Sequence, residues 1–125
     1  MDITVLEKSD AVKAAALFNR YAESELVYKK LSDSDFTAQF ITDDANVIKI
    51  NLAAKAEDGS LVGFANGCIK RGVDIGYITF ILVDAPYRRQ GIARKLLTEL
   101  ETALDLAAPL SKYQIMFFNP IALTW

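Results

Sequence analysis

The chain has no histidine among its 125 residues. That absence removes Ser-His-Asp and Cys-His nucleophilic catalysis, the two-histidine zinc-protease helix and every histidine-based proton transfer. A single cysteine, Cys68, excludes an internal disulfide and a cysteine-built metal site, and no metal is expected. Neither sign of charge dominates: 14 lysines and arginines stand against 16 acids, a net charge of −2. That balance gives no electrostatic drive toward nucleic acid or an anionic membrane, so neither is expected as a partner. Long apolar runs are missing too. The longest nearly apolar stretch, Ile75 to Val83, falls far short of the roughly 20 residues that span a bilayer. The opening Met1-Asp2-Ile3-Thr4 has no basic segment followed by an apolar one, so no signal peptide is expected. The chain reads as soluble and cytoplasmic.

What is present suits one globular core. Apolar residues make up 52% and charged residues 24%, which argues against disorder, and the length fits one domain over residues 1–125. Asp2 to Leu6 alternates as a first strand. Ser9 and Asp10 are candidate caps for a helix reaching about Tyr28, with Ala14, Leu17, Phe18, Tyr21 and Glu25 at helical spacing. Ser32-Asp33-Ser34-Asp35 has the form of a capping box for a shorter helix containing Phe36, Phe40 and Ile41. Val47 to Ala54 and Leu61 to Ile69 read as strands joined through Asp58-Gly59, where glycine permits a positive φ. After a turn at Arg71 to Asp74, Tyr77 to Val83 is β-branched and aromatic with little alternation, as in a central strand covered on both faces. From Gln90 onward the period changes: Ala93, Leu96, Leu97, Leu100 and Leu104 form one helical stripe. Tyr113 to Phe118 reads as a further strand. Strand, long helix, strand implies a parallel crossover, hence a mixed sheet. Asn119-Pro120 has the form of a helix start, yet the sequence stops at Trp125. The strand before it, with Ile115, Met116, Phe117 and Phe118, would leave an apolar edge that invites another chain. The expectation is a C-terminally incomplete fold, or one completed by a homodimeric partner or a second domain at that edge.

The chemistry is concentrated where the apolar strand meets the long helix, Ile81 to Arg94. The first N–H groups of a helix have no intrahelical acceptors, and with the helix dipole they attract an anion by roughly 0.3–1 kcal/mol per charge when exposed. Gly91 lets a phosphate approach the backbone, and Ala93 keeps the next turn small. Arg88, Arg89 and Arg94 place cations at a helix N-terminus, an arrangement unfavourable for the helix alone and relieved by an anionic ligand. Phosphate loops ending in Gly-Lys-Ser/Thr and dinucleotide loops of the Gly-x-Gly-x-x-Gly type are both absent.

Arg88-Arg89-Gln90-Gly91-Ile92-Ala93 resembles the acyl-coenzyme A signature of the GNAT N-acetyltransferase superfamily, (Gln/Arg)-x-x-Gly-x-(Gly/Ala). Leu82-Val83-Asp84-Ala85-Pro86-Tyr87 is similar to the family's preceding strand and turn, and the resemblance covers most of the chain up to Asn119. It implies an α/β (α+β) fold: a mixed, mostly antiparallel sheet with helices on both faces, a GNAT-like acyl-CoA N-acyltransferase. It implies acetyl-CoA as co-substrate, with the backbone of Arg88, Arg89, Gln90, Gly91, Ile92 and Ala93 around the pyrophosphate and Arg94 beside it. Ile81, Leu82 and Val83 would pair with the pantetheine arm like an added strand, the Val83 amide would hold the thioester oxygen, and Asn119 would lie beside the arm. The acceptor implied is an amine of a small molecule or a peptide. Many members carry a glutamate base where this chain has Tyr77, with Thr79 next on the same face. Neither is a competent base at neutral pH without help. Loss of a base typically costs 10²–10⁴ in rate, whereas positioning alone supplies about 7–11 kcal/mol.

Two other classes stand beside this enzyme: a non-catalytic acyl-CoA-binding module such as half of a tandem protein, and an interaction domain using the open edge. For single residues the plainer readings are core packing for Tyr77, Thr79, Phe18, Tyr21 and Tyr28, a small buried hydrophobe for Cys68, and solvated helix charges for Glu23 and Glu25.

Overall fold

The computed structural model describes residues 1–26, 28–72 and 75–108, with the backbone of one further strand at Lys112–Ile115. Five strands form one sheet in chain order: β1 (Asp2–Val5), β2 (Val47–Lys55), β3 (Leu61–Lys70), β4 (Ile75–Val83) and β5 (Lys112–Ile115). The first four are antiparallel and β5 runs parallel to β4, the mixed sheet that the strand-helix-strand pattern implied. Gly59 turns the β2–β3 hairpin at φ 85°, and its N–H donates to the Ala56 carbonyl at 2.9 Å.

Helices cover both faces. Phe64 and Gly63 are adjacent on β3 and so point to opposite sides. Phe64 meets Phe36 at 5.8 Å and Phe80 at 5.3 Å between ring centroids. On that face Phe18, from helix α1 (Ala11–Tyr21), lies 5.3–5.5 Å from Tyr28, Phe36, Phe40 and Phe80. Tilted ring pairs of this kind add about 0.5–1.5 kcal/mol each beyond their area. Helix α2 (Asp33–Phe36) continues into a π-helical turn, Thr37–Ile41, that carries Phe40. Ser32 caps it by accepting from the Asp35 N–H at 3.1 Å, as the motif predicted.

The opposite face receives α3 (Ile92–Ala107), which buries Ala93, Leu96, Leu100 and Leu104. Gly67 on β3 lets it approach: a Cβ there would stand 3.0 Å from the Tyr77 carbonyl and 3.2 Å from a Leu100 methyl. Leu97, expected on this stripe, is only half-buried at its margin.

Two expectations are corrected. The first helix is shorter than Asp10 to Tyr28, because it loosens into a π-helical turn over Ala22–Leu26. Asp10 stands at the N-cap position of α1 as expected, but its side chain makes no capping hydrogen bond to that helix. Its Oδ2 accepts from the Glu7 N–H at 3.1 Å and pairs with Lys55 Nζ at 3.0 Å, tying the start of α1 to the end of β2. The turn residue Asp74 and the segment Met116 to Trp125, including Asn119 and the expected apolar edge, lie outside the described residues.

Candidate functional site

β4 is the strand that positions the site. Its register with β3 shifts between Asn66 and Gly67: Phe80 faces Asn66, whereas Ile78 faces Gly67. Thr79 is thus the extra residue of a β-bulge, and β-bulges re-aim side chains and bend a strand. Tyr77, paired with Cys68, and Phe80, paired with Asn66, both end on the face packed by α1 and α2 although they are three residues apart. Tyr77 and Thr79 are each 9% exposed. The Lys70 ammonium lies 5.5 Å from the centre of the Tyr77 ring. Cys68 is half-buried, not fully buried as expected, and burial pushes its thiol up, away from the thiolate.

The outer edge of β4 is used in two ways. β5 pairs with it only from Ile75 to Ile78. Among the described residues no strand pairs with Thr79 to Val83 on that side. The Asp84 N–H donates to the Val62 carbonyl on β3 at 2.8 Å. Because hydrogen-bonded pairs alternate along an antiparallel ladder, the backbone groups of Leu82 also turn toward β3, and those of Ile81 and Val83 turn outward. Of the three residues expected to pair with an added strand, Ile81 presents both its N–H and its C=O and Val83 its N–H, the Val83 carbonyl being taken by Arg88, while Leu82 contributes a fully buried side chain.

Beyond Val83 the chain makes a short 3₁₀ turn, Ala85–Tyr87, then the loop Arg88 to Gly91. Two residues in the loop are left-handed, Arg89 at φ 65° and Gly91 at φ 80°. A non-glycine residue in that region is uncommon and strained by about 1–3 kcal/mol, a feature that clusters at ligand sites. Left-handed residues within a turn are the backbone conformation from which anion-binding concavities are built. Gly91 is the N-cap of α3, and no side chain caps the helix. A Cβ built at Gly91 would meet nothing within 4 Å, so the space before the helix is open. Arg89, Gln90 and Gly91 are exposed, Ile92 and Ala93 are buried under the sheet, and Arg94 is exposed. The amides, the αL turn and the unfilled space fit a diphosphate.

The three arginines do not act alike. Arg88 was expected to add its charge at the loop. Instead its guanidinium turns inward: Nε donates to the Val83 carbonyl at 2.8 Å, and the two terminal nitrogens form a fork on Glu25 at 3.0 and 2.6 Å. Glu25 is correspondingly not the solvated charge that its sequence position suggested. Arg89 and Arg94 have no ion-pair partner among the described residues and remain available to an anion. Asp84, a carboxylate close in sequence to the loop, accepts from the Tyr21 hydroxyl at 2.6 Å and from Arg20 at 2.9 Å. Burial pushes its carboxyl up, but the bonds from Tyr21 and Arg20 and the arginine's charge outweigh this, so it lies below the usual aspartate range. A carboxylate held in this way is a poor proton acceptor. None of these long-range pairs carried a local sequence signal, because Arg88 to Glu25 and Asp84 to Tyr21 each span 63 positions.

A mixed sheet with helices on both faces, an outward-facing β4 edge and an uncapped helix start at its end define an acyltransferase-type architecture. The chain belongs to the Acetyltransferase (GNAT) family, whose model matches residues 14–115. Among solved structures it is similar to a ribosomal-protein-alanine N-acetyltransferase from Brucella melitensis biovar Abortus 2308. That likeness has a TM-score of 0.72 and 25% identity, over 96% of this chain and 82% of that one. An acetyltransferase from Vibrio fischeri shares the fold at TM-score 0.68 and 17% identity, over 92% and 94% of the two chains. A phosphinothricin acetyltransferase from Sinorhizobium meliloti, solved in complex with AcCoA, shares it at TM-score 0.71 and 17% identity, over 84% and 60%. Comparison with curated proteins gives no significant match. Among the described residues no cluster of metal-ligating side chains occurs, and no helix is long and apolar enough to cross a membrane.

Proposed function

We propose that the protein transfers an acetyl group from acetyl-CoA to an amine of a small molecule or a peptide. The observation that carries this is one of continuity. The outward N–H groups of Ile81 and Val83 and the Ile81 carbonyl lead along a single edge to the uncapped amides at residues 89–93. A diphosphate at the loop would direct a pantetheine arm back along β4, with its thioester toward the bulge at Thr79. Ile81 and Val83 supply the edge N–H groups able to hold negative charge developing on the thioester oxygen, a contribution of about 2.7–4 kcal/mol in comparable sites. The amine nitrogen forms its bond to the thioester carbon, the carbon–sulfur bond breaks, and the amine proton ends on the coenzyme thiolate. The residues at the bulge, Tyr77 and Thr79, are not carboxylates. Tyr77 and Thr79 line the approach, so the reading rests on positioning with proton transfer through water.

Calorimetry with acetyl-CoA tests the site, and release of free thiol with an amine panel tests the reaction. The Brucella neighbour's name makes a peptide with an N-terminal alanine one member of that panel. Binding without thiol release for any amine would favour a non-catalytic coenzyme-binding module. No binding at millimolar acetyl-CoA would leave only an interaction domain. β5 is the last strand in the described sheet, and pairing there with a second copy or domain belongs to the same reading. A monomer by light scattering would remove that part.

A further inference from the structure

The Arg88 side chain is tied at every end. Nε binds the Val83 carbonyl, both terminal nitrogens bind Glu25, and the guanidinium carbon stacks 4.8 Å from the centre of the Tyr21 ring. The pair is sheltered, with Arg88 16% and Glu25 33% exposed at the side chain. A guanidinium forked onto a carboxylate is neutralised and cannot swing toward a phosphate while the fork holds. What it still controls is one peptide plane. The Val83–Asp84 peptide is gripped from both sides, its N–H by Val62 on β3 at 2.8 Å and its carbonyl by Arg88 at 2.8 Å.

We infer that Arg88, braced by Glu25 and Tyr21, is a positioning residue that sets the register of the pantetheine arm on β4. This rests on the coenzyme reading given above. With the Val83 carbonyl already accepting a bond, the outward edge offers the Val83 N–H, the Ile81 carbonyl and the Ile81 N–H. An arm that pairs with both residues therefore presents a carbonyl at Val83 and an N–H at Ile81, and a frame shifted toward the loop finds its acceptor already engaged by Arg88. Because Glu25 lies in the π-helical turn after α1, the same brace links that segment to the coenzyme edge.

The test compares two ligands on the full-length chain by calorimetry: acetyl-CoA, which has the arm, and adenosine 3′,5′-bisphosphate, which lacks it. Arg88→Lys keeps the charge and removes the fork. It is expected to weaken acetyl-CoA about tenfold, the scale of one charge-assisted hydrogen bond, while leaving the bisphosphate within about twofold of wild type. Glu25→Gln, which leaves one acceptor for the fork, should shift the same ratio in the same direction by less. Equal losses for both ligands, or no loss for either, in a variant that melts cooperatively would overturn the inference. So would failure of both variants to fold, which would assign the pair to stability alone. If the wild-type chain binds neither ligand, the coenzyme reading itself falls. That outcome is distinct from wild-type binding unaltered by the variants.

Discussion

The Nδ2 of Asn66 donates to the Oδ1 of Asn51 at 2.7 Å, joining β3 to β2 beneath the aromatic cluster. Both side chains also donate to the Phe40 carbonyl, at 2.9 and 3.0 Å. Asn51 is 8% exposed and Asn66 2%, so their amides and that carbonyl depend on one another instead of on water. The pair anchors the π-helical turn after α2 to the sheet one residue from the β4 bulge.

Asn66→Ala is therefore expected to lower unfolding free energy by about 2 kcal/mol, because it leaves the Asn51 oxygen without its donor in an apolar setting. Urea denaturation measures this directly. A loss below about 0.5 kcal/mol would mean that the network is not a structural tie.

At Gly91 two substitutions separate backbone strain from ligand exclusion. Its φ of 80° is costly for any L side chain, though a Cβ there meets no neighbour. Gly91→Ala should cost roughly 1–2 kcal/mol in stability. Gly91→Glu should melt close to the alanine variant yet reduce acetyl-CoA affinity by about a hundredfold or more, since it sets a carboxylate before the α3 amides. Equal affinity in the two variants would place the diphosphate elsewhere.

Asp84 gives a pH signature. Its carboxyl sits below the ordinary value of 3.8, despite burial, because Tyr21 and Arg20 hold the charged form. A depressed folded-state pKa adds stability that is full above the unfolded value and is lost as pH falls through the folded one. The wild-type chain should thus lose this contribution below pH about 4, and Asp84→Asn should show a shallower acid slope there with a lower plateau at neutral pH. Parallel acid limbs for the two proteins would show that the Tyr21–Asp84–Arg20 contacts carry no linkage.

Local pattern was enough for several features. Leu96, Leu100 and Leu104 announce α3, Ser32 announces its cap, Gly59 its turn, and the run ending at Val83 its central strand. Each depends on neighbours within one helical turn or one strand repeat. Arg88 shows where that reach ends. Its place in the signature is plain from the sequence, but its side chain answers to Glu25, and the inward turn of its charge follows from packing α1 against the end of β4. The bulge at Thr79 was equally hidden, because register depends on the partner strand and not on the run of apolar residues.

Element order, the apolar stripes and the glycine at the start of α3 are legible along the chain, since periodicity and turn chemistry are written residue by residue. Which β4 backbone groups face outward, which arginines remain available to an anion and which acids are already paired emerge from the packed fold alone. Those outcomes depend on contacts between residues distant in the chain, as far as the 64 positions between Arg20 and Asp84, where hydrogen-bond alternation and charge pairing are fixed by the fold.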